Sequence, residues 1–174
     1  KETLFSDKTN SILPDKELRL NSLQHQTYQT IYKYKKLLKI PFDDNMRIIS
    51  IVRNPYTRLV SDLFWNNLIT ENTKKEKVTK IIKNYIVNNN LDNHNIPQYN
   101  FLVDENDILI ENIKIFKMEN LNEEFNNYLG YKLKKYNKNK LKINYFKYLN
   151  KNSINIINDF YSKDFELFNY EKLN

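Results

Sequence analysis

Short apolar runs separated by polar, Asn- and Lys-rich segments divide the chain into alternating strand-like and helix-like stretches. The run 48–52 is mostly β-branched and predicts a buried strand. After Pro55, apolar residues recur every three or four positions, as on one face of a helix. They are Tyr56, Leu59, Val60, Leu63, Phe64 and Leu68. Because Pro is favoured at the first helical position, we expect a strand, a tight turn and a helix over 47–69.

The flanking segments repeat these two patterns. Residues 22–39 favour a helix that Pro41 stops, and residues 73–90 favour an amphipathic helix with its lysines outward. Residues 112–118 alternate apolar and polar positions and predict a second strand.

The second half of the chain adds two more helices. Asn120 is expected to cap a helix through Leu129, with Glu123 as its capping-box partner and Gly130 as a left-handed stop. A last helix is expected over 152–162. Strands that alternate with helices in this way indicate an α/β fold with a parallel sheet flanked by helices.

Composition supports one folded domain over 1–174. Apolar residues make up 40% of the chain, with 10 Phe and 13 Tyr, which is enough to build a core. No apolar run approaches the length of a membrane span. The chain has no Cys and two His, so disulfides and thiolate metal sites are excluded and no metal is expected.

Charge points to an anionic ligand. The net charge is +7, which suits a nucleotide, an acidic glycan or a nucleic acid. Lys accounts for most of this excess, whereas Arg occurs only at 19, 47, 53 and 58. The single Gly, at 130, excludes the Gly-rich phosphate loops of dinucleotide-binding and Walker-type proteins from this chain.

The strand–helix corner concentrates groups that bind phosphate. Arg58, Ser61 and Trp65 share the side of the predicted helix that lies away from its apolar stripe, and Arg53 just precedes that helix. A guanidinium makes paired, charge-assisted hydrogen bonds to an anion, and the helix N-terminus favours negative charge. This corner is therefore the first candidate site.

The same stretch, VRNPYTRLVS at 52–61, resembles the 3′-phosphate motif of sulfotransferases, roughly V-R-[ND]-P-x-x-R-L-x-S. The resemblance is to the carbohydrate sulfotransferases of the Golgi type, which include the heparan 2-O-, chondroitin and HNK-1 enzymes. It implies that Arg53 and Ser61 hold the 3′-phosphate of 3′-phosphoadenosine 5′-phosphosulfate, with Arg58 in the same cofactor-binding set.

Further elements of that family occur in order between residues 22 and 170. Residues 94–98 resemble H-x-x-P-Q, residues 119–121 resemble a strand ending in E-N-L, and residues 161–170 resemble Y-x-x-D-[FY]-x-x-F-x-Y. The resemblance implies a sulfotransferase-type sheet, similar to that of P-loop nucleotide-binding proteins.

His25 is the candidate catalytic base. Sulfuryl transfer to a hydroxyl needs a group that accepts a proton near neutral pH, and His is best suited to this. The segment 25–28 resembles the H-x-[ST]-Y segment that carries the base of heparan 2-O-sulfotransferases. His94 is the rival candidate, which we assign instead to the substrate side or to a structural role.

One family element has no clear counterpart. The 5′-phosphosulfate loop, P-K-T-x-x-T-S after an early strand, is only faintly matched by 7–12, with Lys8 as its lysine. We expect that loop and its strand to lie upstream of Lys1, so that 1–174 is an N-terminally incomplete sulfotransferase-like domain.

Two main functions follow. The first is transfer of a sulfuryl group from 3′-phosphoadenosine 5′-phosphosulfate to a hydroxyl of a carbohydrate or other, possibly anionic, acceptor. The second is a catalytically incomplete module that only binds an anionic ligand or nucleotide. A nucleic-acid-binding role for the Lys- and Tyr-rich segment 131–150 is not favoured, because no nucleic-acid motif accompanies it. Two compartments fit the sequence: the cytoplasm, or the Golgi lumen if an N-terminal anchor was removed.

Overall fold

The computed structural model describes residues 15–43, 46–88, 91–130 and 144–174. Lys8 and most of the segment 131–150 lie outside these residues. Contacts divide the chain into two compact units. The described residues of Lys1–Met46 and Tyr85–Glu111 form the first unit, and those of Arg47–Asn84 and Asn112–Asn174 form the second. The single-domain organisation of 1–174 stays a prediction.

The second unit contains a parallel pair of strands, as the sequence predicted. Strand β1 (Ile48–Val52) pairs with β2 (Ile113–Lys117), with Ile48 opposite Ile113 and Val52 opposite Lys117. The amide of Met118 extends this ladder by donating to the carbonyl of Val52 at 2.8 Å. The mixed α/β class is therefore confirmed.

Six α-helices accompany the sheet in the described residues. They are α1 (Tyr28–Lys33), α2 (Pro55–Trp65), α3 (Lys75–Ile86), α4 (Leu121–Leu129), α5 (Lys151–Phe160) and α6 (Ser162–Leu167). Short 3₁₀ helices span Leu23–His25, Gln98–Phe101 and Tyr145–Tyr148. None of the helices described here combines the length and apolar character that a membrane crossing needs.

Helix α2 forms as its apolar pattern predicted. Tyr56, Leu59, Val60 and Leu63 are buried, and Pro55 occupies the first turn. The helix ends at Trp65, so Leu68 lies beyond it and is exposed. Burying four large apolar side chains contributes on the order of 1.5–3 kcal/mol each, which fixes α2 on the core and fixes the corner that precedes it.

The prediction that β1 is buried throughout was wrong. Val52 is 1% exposed, but Ile49 and Ile51 are 39% and 46% exposed. Alternate side chains of a strand point to opposite faces, so Ile49 and Ile51 share one face and Val52 lies on the other. The continuous apolar run had suggested cover on both faces, whereas the described sheet has two strands and a core on the Val52 side.

The predicted helix over 22–39 was also wrong in extent. The Gln26 side chain donates to the carbonyls of Leu18 and Asn21, which holds the preceding chain in a turn. Thr27 is extended and its hydroxyl accepts from the amide of Thr30, so α1 begins only at Tyr28. The helix ends at Lys33, well before Pro41.

Two smaller expectations changed in detail, and one was confirmed. Helix α3 occupies Lys75–Ile86, inside the predicted 73–90. Asn120 precedes α4, but its side chain makes no capping hydrogen bond, so the predicted capping box with Glu123 is absent there. Gly130 takes the expected left-handed conformation, with φ of 75°, at the end of α4. A capping box that was not predicted joins Asn150 and Ser153 at the start of α5.

Candidate functional site

The turn between β1 and α2 is held by Asn54. Its side-chain oxygen accepts from the amides of Tyr56 at 3.1 Å and Thr57 at 3.4 Å. Asn is a preferred N-cap because it satisfies amides that a helix start leaves free. These amides are therefore already bonded within the chain, and an anion at this corner would be bound by side chains.

Arg53 is fixed at the start of α2 by two contacts. Its Nε donates to the hydroxyl of Thr57 at 3.1 Å, and its guanidinium carbon lies 5.0 Å from the centre of the Tyr145 ring. The Thr57 hydroxyl in turn donates to the carbonyl of Asn54 at 3.1 Å. A guanidinium is a planar set of N–H donors of the kind that binds two oxygens of an anion at once.

Ser61 lies on the helix face that Arg53 approaches. Thr57 and Ser61 are four residues apart on α2, so their Cβ atoms are neighbours, about 5–6 Å apart. The contact of Arg53 with Thr57 places its side chain at the N-terminal end of this face. Both Arg53 and Ser61 are half-buried. A guanidinium fork and a hydroxyl therefore share one flank of the corner.

The charge of Arg58 acts on Tyr161, which lies between α5 and α6. Burial raises the pKa of the Tyr161 hydroxyl, and the positive charge of Arg58 opposes that rise, whereas the charges of Asp164 and Asp62 add to it. Asp164, a residue of α6, is fully buried. Arg58 is therefore close enough for its charge to act on Tyr161, and it is a half-buried member of the predicted set.

The end of β2 and the C-terminal tail are bonded to this corner. Glu119 accepts from the amide of Asn54 at 2.9 Å and from the hydroxyl of Tyr170 at 2.8 Å. Burial, followed by the Glu119 hydrogen bond, raises the pKa of Tyr170, so its hydroxyl stays protonated. Three stretches that the sequence analysis had matched to one family thus meet through Asn54, Glu119 and Tyr170.

His25 lies in the first unit, at the end of the 3₁₀ helix Leu23–His25. Its Nδ1 is 2.7 Å from Oδ2 of Asp92 and 3.3 Å from the hydroxyl of Ser22. The His94 ring stands edge-on to the His25 ring, with centroids 4.4 Å apart and planes at 74°. The side chains of His25 and Asp92 are 28% and 34% exposed, which leaves the imidazole accessible to a substrate.

Asp92 was not singled out from the sequence. It is 67 residues from His25, and nothing in local spacing indicates that the two residues meet. The only local hint is the pair of polar residues Asp92 and Asn93, both in the left-handed region with φ of 49° and 61°.

The first unit also contains the one group of side chains, among the described residues, whose spacing could hold a metal ion. Ligand atoms of His25, Asp92 and His94 all lie within 4.8 Å of one another. Two imidazoles and a carboxylate are a donor set that several divalent metals accept. The sequence analysis had expected no metal, since it did not foresee that the two histidines and Asp92 come together.

A cavity of about 750 Å³ lies elsewhere in the first unit. Two tyrosines and several charged residues line it, among them Tyr28, Tyr32, Lys33, Lys35, Glu17, Asp104 and Glu105. Aromatic faces combined with charged hydrogen-bonding groups suit a polar organic ligand such as a sugar.

The chain was compared with protein-family models, with curated proteins and with solved structures, and none of the three comparisons gave a match.

Proposed function

We propose that this protein is a sulfotransferase that moves a sulfuryl group from 3′-phosphoadenosine 5′-phosphosulfate to a hydroxyl of a carbohydrate acceptor. The observation that carries the proposal is the position of Arg53, which is tied to Thr57 at the start of the helix face that carries Ser61. The motif at 52–61 supplies the same residues in the same order as the family pattern.

In this proposal the corner before α2 binds the nucleotide. The guanidinium of Arg53 and the Ser61 hydroxyl hold the 3′-phosphate, and Arg58 adds positive charge to the same helix. Arg suits this task better than Lys, because its planar fork bonds two phosphate oxygens at once. The scarcity of Arg in a Lys-rich chain makes its presence at 53 and 58 informative.

His25 acts as the base. As the acceptor oxygen attacks sulfur, the bond between sulfur and the phosphate oxygen breaks, and the acceptor proton passes to His25. The products are a sulfate ester and 3′-phosphoadenosine 5′-phosphate. The cavity lined by Tyr28, Tyr32 and Lys35 is the proposed place for a sugar acceptor.

The test is transfer of ³⁵S from labelled 3′-phosphoadenosine 5′-phosphosulfate to neutral, carboxylated and sulfated polysaccharides. We expect label in at least one acceptor. His25→Ala should lower transfer about 10²–10⁴-fold, as loss of a general base does, and leave nucleotide binding intact. His94→Ala is the matched control, because a larger loss there would assign the base to the rival histidine.

Nucleotide binding without transfer to any acceptor would support the binding-module alternative. Absence of both binding and transfer would overturn the proposal.

A further inference from the structure

Asp92 and His25 form a directed hydrogen bond. The 2.7 Å separation between Nδ1 of His25 and Oδ2 of Asp92 is typical of an N–H donor and a carboxylate oxygen. An ionised carboxylate only accepts hydrogen bonds, so the ring proton must lie on Nδ1. The lone pair of the neutral imidazole is then on Nε2, the nitrogen that points away from Asp92.

The carboxylate is itself held in place. Ser22 donates to Asp92 twice, from its amide to Oδ1 at 2.6 Å and from its hydroxyl to Oδ2. The side chain of Asn93 donates to the carbonyl of His25 at 2.8 Å. The left-handed turn at 92 and 93 is therefore hydrogen-bonded to both the ring and the backbone of His25.

Asp92 is charged at neutral pH. Burial raises the pKa of its carboxyl, but hydrogen bonds from Ser22 and His25 outweigh burial and lower the pKa below its usual value of 3.8. The charged carboxylate accepts the hydrogen bond of the His25 ring.

The contacts favour a hydrogen-bonded pair over a metal site. Two ligands on one tetrahedral zinc, each about 2.0–2.1 Å from the metal, lie about 3.3 Å apart, which is longer than the 2.7 Å between Nδ1 and Oδ2. Oδ2 of Asp92 already accepts from the Ser22 hydroxyl as well as from His25. Its capacity is therefore used within the chain.

We infer that Asp92 is the positioning residue of the catalytic base, holding His25 in the tautomer whose free Nε2 accepts the acceptor's proton. The inference rests on the proposed function for its catalytic consequence, while the tautomer itself can be measured without substrate. In the reaction the acceptor O–H proton moves to Nε2, the new S–O bond forms as the phosphate–sulfur link breaks, and Asp92 stays ionised throughout.

The first experiment is ¹⁵N NMR of the imidazoles. The chain has two histidines, so a His94→Gln variant leaves His25 alone in the spectrum. Above the pH at which the ring loses its charge, we expect His25 to carry its proton on Nδ1 in protein that is otherwise wild type. A proton on Nε2 would overturn the inference, whatever the activity.

Asp92→Asn extends the test, because its amide can donate to Nδ1 and impose the opposite tautomer. We expect the ¹⁵N pattern to invert and kcat for sulfuryl transfer to fall by at least tenfold, with KM within about threefold. Asp107→Asn is the matched control, since Asp107 also has a left-handed backbone, with φ of 64°, in the same unit. An unchanged kcat in Asp92→Asn would overturn the positioning role.

Titration with Zn²⁺ tests the remaining alternative, which is that His25, Asp92 and His94 bind a metal. We expect no saturable binding at micromolar zinc. One-to-one binding that Asp92→Asn abolishes would show a metal site and overturn the inference. If neither wild type nor any variant transfers the sulfuryl group while the Nδ1 tautomer is still observed, the proposed function is wrong and the Asp92–His25 arrangement remains supported.

Discussion

Nε of Arg53 donates a hydrogen bond of 3.1 Å to the hydroxyl of Thr57, four residues before Ser61 on the same helix. This bond helps to hold the guanidinium at the start of α2. The first helix amides are already bonded to Asn54, so an anion at this corner would be bound by side chains such as Arg53.

Replacing Thr57 should therefore weaken nucleotide binding without touching the nucleotide's proposed ligands. Thr57→Val keeps the shape but removes the acceptor for Arg53. We expect the Kd for 3′-phosphoadenosine 5′-phosphate to rise about fivefold to tenfold, equivalent to about 1–1.4 kcal/mol, as for loss of one hydrogen bond to a charged group. Calorimetric titration measures this. Thr70→Val, an exposed position in the same unit, should bind as wild type.

The bond between Glu119 and the corner should contribute to stability. Glu119→Ala leaves the amide of Asn54 and the hydroxyl of Tyr170 without their carboxylate partner. Because the site is exposed and water can replace the carboxylate, we expect a loss of about 1 kcal/mol in the free energy of unfolding. Urea unfolding measures it, and the exposed Glu123→Ala serves as control. Equal unfolding midpoints for the two variants would contradict this assignment.

The capping box of Asn150 and Ser153, which was not predicted, should contribute to the free energy of unfolding although Asn150 is only half-buried. The Asn150 side chain accepts from the amide of Ser153 at 2.9 Å and from the hydroxyl of Thr79 at 3.0 Å, joining α5 to α3. We expect Asn150→Ala to lower the free energy of unfolding by about 1–2 kcal/mol. Asn155→Ala, on the exposed side of α5, should change it by less than about 0.5 kcal/mol in the same urea experiment.

Asp92 should make stability depend on pH in the acid range. Its pKa in the folded protein lies below the usual 3.8, although burial alone would raise it. The charged form is therefore favoured by folding, so this contribution is complete above about pH 4 and is lost as the pH falls through the lower, folded-state pKa. The stability difference between wild type and Asp92→Asn, from urea unfolding, should shrink from pH 5 to pH 3. A difference that grows on acidification would show that the sign is wrong.

Local chemistry explains which parts of the fold the sequence could predict. A strand, a turn and a helix are all favoured by local sequence here: the β-branched run at 48–52, Pro55, and the apolar spacing from Tyr56 to Leu63. These three elements formed as expected. Gly130 likewise ends α4 because it adopts a positive φ without steric cost.

The errors came where side chains compete with periodicity. Thr27 and Gln26 bond to nearby backbone and shorten the helix that apolar spacing predicted over 22–39. The exposure of Ile49 and Ile51 depends on what packs against the sheet, which a single strand's sequence does not specify.

The residues of the candidate site also divide into those that a local sequence pattern indicates and those that only the folded chain brings together. Arg53, Ser61 and His25 could be proposed from the sequence because each lies in a recognisable local pattern. Asp92 was missed because its partnership with His25 is a contact across 67 residues, and Thr57 was missed because its role as an anchor for Arg53 depends on side-chain geometry.

The central claim is that the corner before α2 recognises a 3′-phosphate through Arg53. Calorimetric titration of 3′-phosphoadenosine 5′-phosphate against adenosine 5′-monophosphate tests it directly, since the two differ only in that group. We expect wild type to prefer the former about a hundredfold, equivalent to about 2.7 kcal/mol. Arg53→Ala should erase the preference, and Arg47→Ala, an exposed arginine before β1, should keep it. Equal affinity of wild type for both nucleotides, or a preference that survives in Arg53→Ala, would contradict the account.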